Sequence, residues 1–586
     1  MLYAANLIKY KEQKERYLQQ LSYISFLRLL LFLLFAWFIY GTFKEKFQGY
    51  DLLWSLLAIT AFIASVFWSN GLKKKNAIVQ QLILINENEI NMENGKASVL
   101  NNGTDLSPAK GFAVDLNLFG NHSLYHLVNR TGSLSGKQQL AAHLSEPFTT
   151  AEEIHHYQSC VQELTDKTVF SQNLLAHTLL LKEEDSLTQL KAKNDQEVFG
   201  GLQNKFWSGM AMVWPILGGL LFFYSIYKDS YQALFGFCIL GLLILSFVFK
   251  ATSSVYGQIS KRGYLFGQYA TCFSIISEEK FENAYLIEKQ QAITDASSAF
   301  KKLAKLVGVF DMRLSLFSFF FNGLFMHELL CARACLKWNK QYQSSIDSWF
   351  AIMGEIESLN SLATFRFNHP SFIFPEVTEN KLLIKATAMG HPLMKETTAV
   401  VNDMEIGEGS KLHLITGSNM SGKSTFLRTL GLNMVLAQMG APVFAKTFVF
   451  RPLRILSSFH HIDSLEESTS YFYAELKCLQ EIIQSLPGPV PALVLLDEVM
   501  RGTNSKDKHD GTALLIKKIL QFEGLSFIAT HDTELGILSE SYPGAVANFC
   551  FESELTDTGL HFDFTMRKGV AQTKNATYLM QQMGII

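Results

Sequence analysis

The stretch of sequence that decides the fold runs from Leu412 to Phe426 and reads LHLITGSNMSGKSTF. Its apolar opening, Leu412–Thr416, predicts a buried strand, and a helical pattern begins at Phe426. Between them lie nine residues with two glycines and the ending Gly-Lys-Ser-Thr. A strand, a glycine-rich turn and a helix in this order predict a P-loop, and a chance glycine loop would not combine all three.

The residues of this loop have the chemistry that binds the phosphate chain of a nucleotide. Glycines allow the backbone N–H groups to turn inward, and a helix N-terminus attracts anions. We expect Lys423 to neutralise the β- and γ-phosphates and the Ser424 hydroxyl to bind Mg²⁺. The predicted nucleotide-binding residues are Gly417, Ser418, Asn419, Met420, Ser421, Gly422, Lys423, Ser424 and Thr425.

Two later apolar runs end in polar residues that complete such a site. Ala492–Leu496 is followed by Asp497 and Glu498, and Ser526–Thr530 is followed by His531. The carboxyl ends of parallel strands meet at one edge of a sheet, where ligands bind. We therefore expect Asp497 to bind Mg²⁺, Glu498 to deprotonate the attacking water and His531 to sense the γ-phosphate. The predicted catalytic residues are Lys423, Glu498 and His531, and the predicted Mg²⁺ ligands are Ser424 and Asp497.

The composition of the 586 residues limits the classes of protein to which the chain can belong. Hydrophobic residues make up 48% and charged residues 18%, which excludes a disordered or fibrous chain. The net charge of -2 gives no overall positive field for nucleic acid, so a basic surface would have to be local. The seven cysteines include no CxxC pair, which argues against a disulfide framework or a zinc site.

Apolar residues concentrate in four stretches that are long enough to cross a membrane. They cover about residues 21–41, 52–70, 207–227 and 230–249, and each can span ~30 Å of hydrocarbon as a helix. Lysine and arginine residues flank both pairs of stretches, which predicts cytosolic flanks. The pattern predicts a multi-pass protein of the cytoplasmic (inner or plasma) membrane, with the lipid bilayer as a partner. Four buried core helices of a soluble protein are the alternative.

Two details qualify this membrane interpretation. Arg28 interrupts the first stretch near one end, and we expect its side chain to reach toward the lipid headgroups. The aromatic run Leu314–Met326 has 13 uncharged residues, too few to cross a bilayer. We therefore expect a buried helix at Leu314–Met326.

The last ~200 residues resemble the MutS family of ATPases in the order and content of their motifs. Thr416–Thr425 is similar to the family's TGPNMGGKST and departs from it at Ser418 and Ser421. Asp497–Thr503 resembles DExxRGT, and Ala529–Leu535 resembles ATHxxEL. The resemblance implies a P-loop ATPase domain with ATP and Mg²⁺ as cofactors, which hydrolyses ATP to ADP and phosphate in the cytosol.

The resemblance also implies partners. Within Asp463–Glu475, the residues Ser470, Phe472 and Glu475 are similar to the family's STFxxE pattern. In the family this segment reaches the nucleotide of a second subunit, so Ser470 is expected to bind ATP in trans within a homodimer. The resemblance makes DNA the expected cargo, with mismatched, damaged or branched DNA handled by a dimeric clamp. The mismatch-reading domain of the family has no counterpart ahead of Asp115, which favours shape and backbone readout.

These observations predict an α/β P-loop ATPase domain with a parallel sheet, joined to a mostly α-helical MutS-like core with two transmembrane helical hairpins. The predicted parts are an N-terminal membrane hairpin (1–72), the first part of the helical core (73–200), the second membrane hairpin (201–250), the second part of the core and lever (251–370) and the ATPase domain (371–586).

Two other functions stay open from the sequence. A half-transporter of the ABC class also joins membrane spans to an ATPase domain, and Leu134–Gln138 (LSGKQ) resembles its LSGGQ signature. That signature normally lies between the two Walker motifs, whereas Leu134–Gln138 precedes both of them. A membrane scaffold that hydrolyses ATP without binding DNA is the other alternative.

Overall fold

The computed structural model describes residues 2–44, 49–108, 110–181, 201–202, 204–260, 262–315, 317–379, 383–406, 409–459, 471–500, 502–556 and 559–572. The chain divides into two compact units. The first comprises Met1–Ile90, Thr131–Ser135 and Val169–Gly354, and the second Asn91–Arg130, Gly136–Thr168 and Glu355–Ile586. The five-part division expected from the sequence stays a prediction.

Helices make up most of the described chain. Short 3-10 helices occur at Thr104–Leu106, Asp311–Leu314 and Thr533–Ile537. The α-helices are α1 (Leu2–Lys44), α2 (Gly49–Glu93), α3 (Phe112–Asp115), α4 (Leu124–Val128), α5 (Leu134–Ser145), α6 (Ala151–Thr165), α7 (Thr168–Thr178), α8 (Lys205–Lys228), α9 (Gln232–Ser246), α10 (Phe249–Ile259), α11 (Gly263–Glu278), α12 (Ala284–Ala292), α13 (Thr294–Phe310), α14 (Ser318–Phe325), α15 (His327–Asn368), α16 (Lys423–Gln438), α17 (Tyr471–Ser485), α18 (Ser505–Ile519) and α19 (Leu538–Ser541).

Several helices of the first unit are long and apolar enough to cross a membrane. Among the described residues these are Leu2–Gly41, Leu53–Glu93 and Lys205–Lys228. Two sharply bent pairs, α9 with α10 and α14 with α15, would raise the number to five if each pair were one span. Only 6% of the most apolar window of α1 is buried. The corresponding windows of α2 and α8 are 28% and 22% buried, so most of this apolar surface is exposed in the described chain.

The aromatic run Leu314–Met326 differs from the sequence-based expectation. It contains α14, and its residues Gly323 and Leu324 are buried, whereas Phe319 and Phe320 are 41% and 43% exposed. The expectation of a buried helix is wrong for Phe319 and Phe320. The reason is geometric, because α14 has only about two turns and α8 and α9 cover only one of its sides.

The remaining core of the first unit is aromatic and joins α11, α13 and α15. The ring of Phe300 on α13 stacks on Phe273 of α11 and meets the rings of Trp338 and Phe350 of α15 edge to face. The indole N–H of Trp338 donates to the carbonyl of Ala299, 2.8 Å away. The helices α11, α13 and α15 thus pack through large aromatic side chains, and the indole N–H of Trp338 has a hydrogen-bond acceptor.

The second unit contains two mixed sheets. A four-stranded sheet has the order β1-β5-β2-β3, and a six-stranded sheet has the order β10-β9-β4-β8-β7-β6. Neighbours from β9 to β6 are parallel, and β10 is antiparallel to β9. The strands are β1 (Glu376–Val377), β2 (Ile384–Met389), β3 (Asn402–Ile406), β4 (Leu412–Gly417), β5 (Thr447–Phe450), β6 (Arg454–Ser458), β7 (Ala492–Asp497), β8 (Gly524–Thr530), β9 (Val546–Thr556) and β10 (Gly559–Lys568).

The burial of β4, β8 and β7 explains why these residues form the parallel part of the six-stranded sheet. Every residue of β4 and β7 is buried, as is all of β8 after its first residue. Continuous apolar runs are typical of strands that helices cover on both faces. The register pairs Thr416 with Thr530, and Asp497 with Ala529. The carboxyl ends of β4, β7 and β8 therefore lie side by side.

A buried histidine on β4 gives the second unit a testable dependence on pH. The ring of His413 stacks on Phe527 at 4.8 Å, and its Nε2 lies 2.9 Å from the Ser410 hydroxyl. Burial lowers the pKa of His413 from 6.5 to about 4. A histidine whose folded pKa is depressed stabilises the fold fully above its unfolded pKa, and this contribution is lost as the pH falls toward the folded pKa.

We predict that His413→Gln flattens the acid side of the stability profile. Between pH 6.5 and pH 4 the native protein should lose on the order of 3 kcal/mol through this residue. Thermal unfolding of the second unit, followed across that range, should therefore decline less steeply in the variant. The exposed His122→Gln is the matched control. A variant that declines as steeply as the native chain would show that His413 does not titrate in this way.

Candidate nucleotide site

The predicted P-loop connects β4 to α16 and has a conformation that requires glycine at two points. Gly422 has a φ of 109°, in the left-handed region that side chains rarely adopt. A Cβ at Gly417 would lie 2.7 Å from the carbonyl oxygen of Phe551, so the close approach of β9 requires glycine there. The turn thus places the start of α16 directly beyond the end of β4, with backbone N–H groups at a helix N-terminus.

Lys423 occupies the centre of the loop. Its side chain is only 4% exposed, and its Nζ donates to the carbonyls of Gly417, at 2.9 Å, and Ser418, at 2.8 Å. The same atom lies 3.4 Å from Nδ1 of His531. A buried ammonium held by carbonyl groups of the loop is suited to an anion, because it is already desolvated and fixed in position.

His531 connects the loop to the predicted catalytic acid. Its Nδ1 lies 2.7 Å from the Gly417 carbonyl, and its Nε2 contacts Oε1 of Glu498. A carbonyl oxygen only accepts, so Nδ1 carries a hydrogen in this arrangement. The structure therefore brings Lys423, His531 and Glu498 together at one edge of the sheet.

The other predicted site residues differ in how accessible they are. Asp497 is buried at the end of β7, Ser424 is half-buried in the first turn of α16, and Ser421 is buried. Asn419, Met420 and Thr425 are exposed on the loop and helix start. A carboxylate and a hydroxyl at adjacent element ends are oxygen ligands of the kind that Mg²⁺ prefers, so these residues fit the predicted metal. Ser470 lies outside the described residues, and its contact in trans stays a prediction.

The family comparison agrees with this geometry. Residues 413–584 match the family model of MutS domain V. The chain is 30% identical over 214 residues to MutS protein homolog 4 of Homo sapiens, covering 35% of this chain and 22% of that protein. It is 32% identical over 226 residues to DNA mismatch repair protein MutS of Aquifex pyrophilus, covering 38% and 26%.

A third match is Endonuclease MutS2 of Thermomicrobium roseum, with 32% identity over 173 residues, 28% of this chain and 21% of that protein. The chain thus spans about a quarter of the length of the curated relatives that it matches. These matches show that part of the chain is similar to MutS proteins, with MutS domain V matched over residues 413–584.

The segment 413–584 contains an aromatic residue beside the predicted P-loop that the sequence motifs do not indicate. Phe564 of β10 lies against Gly422, where a Cβ would be 3.2 Å from its ring, and it is partly exposed. β10 has a register irregularity between Phe562 and Met566, and Asn402 of β3 bonds to both sides of it, to the Phe564 carbonyl and the Met566 N–H. This bulge turns an exposed ring toward the loop. Its signal in the sequence is the pair of alternating phenylalanines, Phe562 and Phe564.

The sequence motifs also do not indicate how the turn after β7 is held. Glu498 and Met500 both have positive φ values, 53° and 62°. The N–H of Glu498 donates to the carbonyl of Ala529 at 2.9 Å, and the N–H of Met500 donates to Oε1 of Glu475. The Glu475 side chain on α17 is buried. Sequence similarity singled out Glu475, but only the structure shows it bonded to the turn that contains Glu498.

Among the described residues, a group of one histidine and two carboxylates has the composition of a metal site. The ligand atoms of His509, Asp532 and Glu534 lie within 4.8 Å of one another. Both oxygens of Asp532 are already used, because one lies 2.7 Å from Nδ1 of His509 and the other accepts the N–H of Glu534 at 3.0 Å. Hydrogen bonding and the cap of the 3-10 helix account for this cluster, so we assign it no metal.

We predict that Glu475 acts on hydrolysis through the backbone of Met500. Glu475→Ala removes the acceptor of a buried N–H, which should loosen the turn that positions Glu498. The kcat for ATP should fall about 10-fold or more, with KM changed less than about 3-fold. Glu475→Gln keeps a carbonyl acceptor and should retain most of the rate. Phosphate release at varied ATP concentration measures both constants.

The matched control is Glu481→Ala, because Glu481 lies on the same helix but is half-exposed and pairs with Lys110. It should leave both constants unchanged. A rise in KM at constant kcat in Glu475→Ala would contradict the positioning role, as would an equal loss in the Gln variant.

Proposed function

We propose that the chain is a membrane-anchored, MutS-type ATPase that works as a homodimer and handles DNA of mismatched, damaged or branched structure. The observation that carries this proposal is the convergence of Lys423, His531 and Glu498 within the segment that matches MutS domain V. The alternatives share ATP hydrolysis and differ in the cargo.

The residues of the site divide the work of hydrolysis. The loop N–H groups and Lys423 bind the phosphate chain, while Ser424 and Asp497 are the ligands for Mg²⁺. When bound, ATP supplies the transferable γ-phosphoryl group and Mg²⁺ neutralises charge on the phosphate oxygens. Glu498 accepts a proton from the attacking water. The water oxygen forms a bond to the γ-phosphorus, and the bond between the γ-phosphorus and the oxygen that bridges it to the β-phosphate breaks.

His531 orients the base in this scheme. Its Nδ1–H donates to the Gly417 carbonyl of the loop and its Nε2 contacts the Glu498 carboxylate, so the ring lies between the loop and the acid. The φ of 53° at Glu498 costs on the order of 1–3 kcal/mol, and the bond to Ala529 opposes relaxation. Such a strained and fixed acid is typical of a preorganised catalytic group.

Membrane anchoring is supported by the surface of the first unit. Three of its helices are long and apolar enough to span a bilayer, and their most apolar windows are mostly exposed. Exposed surfaces of this kind need a covering, and hydrocarbon is the covering that matches continuous apolar helices of this length. Lysines at both ends of the apolar stretches favour a cytosolic ATPase domain. Arg28 donates to Ser69 at 3.3 Å, so its charge has a polar neighbour on α2.

The dimer and the DNA cargo come from the relatives. The matched proteins include DNA mismatch repair proteins, and MutS homologues bind DNA as dimers or heterodimers. The net charge of -2 adds no support of its own for DNA.

The structure weakens the ABC-transporter alternative. Leu134–Gln138, which resembles the transporter signature, lies in α5. Lys137 is buried, and a Cβ at Gly136 would lie 2.6 Å from the Glu357 carboxylate. This glycine serves close packing inside the second unit. The matched relatives are MutS proteins, which also favours the MutS-type function.

We predict separable losses for two variants of the site. Lys423→Ala should weaken nucleotide binding by more than about 100-fold, because it removes the fixed charge of the loop. Glu498→Gln should bind ATP normally but hydrolyse it about 100-fold or more slowly, as expected for loss of a general base. Binding of a fluorescent ATP analogue and release of phosphate measure the two effects.

The control for the acid is Glu523→Gln, the same change in an exposed residue that pairs with Arg451. It should leave hydrolysis unaltered. Normal turnover in Glu498→Gln would remove that residue from the mechanism and with it the assignment of this ATPase site.

We predict that the DNA cargo is recognised by shape. The purified chain in lipid should bind branched DNA more tightly with ATP than without it, and should discriminate mismatched from matched duplex by less than about 2-fold. Anisotropy titrations over a range of salt concentrations would also count the phosphates neutralised. Absence of binding at low salt, with ATP hydrolysis intact, would favour the membrane scaffold ATPase instead.

A further inference from the structure

We propose that α14 is a re-entrant helix whose phenylalanine face contacts the acyl chains of membrane lipids. This inference rests on the membrane anchoring proposed above and extends it to a segment too short to span. The surface consists of Phe317, Phe319 and Phe320, and we call it the phenylalanine face. Three observations support the proposal, on the packing, the exposure and the bend of this segment.

The packing of α14 is close and involves backbone. A Cβ at Gly218 of α8 would overlap the carbonyl of Leu324, and a Cβ at Gly241 of α9 would overlap the carbonyl of Gly323. The indole N–H of Trp214 donates to that Gly323 carbonyl at 2.8 Å. Small residues that let helix backbones touch, together with a hydrogen bond between elements, are typical of helix packing in lipid.

The contacts lie within the length of the apolar helices. At 1.5 Å per residue, Gly218 lies roughly 20 Å from Lys205 along α8, and Gly241 lies about 8 Å before the end of α9 at Ser246. Both positions are inside the hydrocarbon thickness if α8 spans the bilayer and α9 crosses it together with α10 as one bent span. α14 is therefore seated inside the membrane layer that these two helices define.

The phenylalanine face continues the apolar surface of its neighbour. Phe317 is 66% exposed, and Phe320 meets the half-exposed Phe235 of α9 at a ring distance of 6.5 Å. No charged residue occurs in 314–326. A continuous apolar surface at this depth fits acyl chains, because the surface of α9 beside it has the same exposure and the same hydrocarbon character.

Polar contacts fix α14 against the start of α15. Met326 has a left-handed φ of 50°, and the two helices meet at 75°. Asn322 donates to Glu328 at 2.8 Å and accepts the Glu328 N–H at 3.0 Å, and the carboxylate lies 3.4 Å from Arg313. These bonds give partners to polar groups at the bend, which a non-spanning segment in lipid requires.

The test compares lipid exposure at three single spin-labelled cysteines in the full chain. Phe320→Cys reports the phenylalanine face, Leu220→Cys reports the exposed surface of α8, and Val169→Cys reports an exposed residue of α7. All are made in a chain whose native cysteines are replaced by serine or alanine. The protein is placed in vesicles of phosphatidylethanolamine and phosphatidylglycerol, and electron paramagnetic resonance measures collisions with oxygen and with a water-soluble nickel chelate.

We expect Phe320→Cys and Leu220→Cys to favour oxygen over the chelate by a similar ratio, within about 2-fold, and Val169→Cys to favour the chelate. If Leu220→Cys is open to the chelate, the membrane anchoring itself is wrong. If Leu220→Cys is in lipid while Phe320→Cys is open to the chelate, the anchoring stands and the re-entrant helix is overturned. ATP hydrolysis equal to that of the cysteine-free chain shows that each variant is folded, and Phe319→Cys replaces Phe320→Cys if that variant is not.

Discussion

The buried ammonium of Lys423 is the interaction on which the nucleotide site depends. Removing such a charge from water costs several kcal/mol, and two carbonyls of the loop compensate for it only in part. The loop must therefore keep its glycine turns, because any widening would take the carbonyls away from Nζ. This requirement fixes the end of β4 relative to α16. The parallel register of β4, β8 and β7 then places His531 3.4 Å from Nζ of Lys423 and Glu498 in contact with His531.

The position of the catalytic acid is set by its surroundings more than by its own conformational preference. Non-glycine residues with positive φ are costly, and Glu498 and Met500 both adopt it within three residues. The bond from Glu498 to Ala529 ties the turn to β8, and the bond from Met500 to Glu475 ties it to α17. A Cβ at Gly502 would lie 2.8 Å from Phe472 of the same helix, so a third contact adds to the constraint.

The sequence predicts the parts of the site whose chemistry is local. The loop 417–425 is predicted by the strand before it, its glycines and the helix after it. Asp497, Glu498 and His531 are predicted because they follow apolar runs that are typical of buried strands. Phe564 could not be found in this way, because its place beside Gly422 comes from a bulge in β10 held by Asn402 of another sheet. The exposed side of α14 was missed for a related reason. Periodicity states which residues share a face, but it does not state whether a neighbour covers that face.

One constraint accounts for where polar residues occur in both units, namely that a buried polar group needs a partner. In the second unit Lys423 and His531 both donate to the Gly417 carbonyl at the end of β4, and His531 contacts Glu498 at the end of β7. In the first unit Asn322 and Arg313 both contact Glu328 at the break between two helices. Charged side chains therefore occur at the ends of strands in the second unit and at the break between helices in the first. The two places differ in what remains to be bound, because the strand ends present a fixed cation beside loop N–H groups, while the helix break leaves only an apolar surface. The first arrangement suits a phosphate chain, and the second suits hydrocarbon.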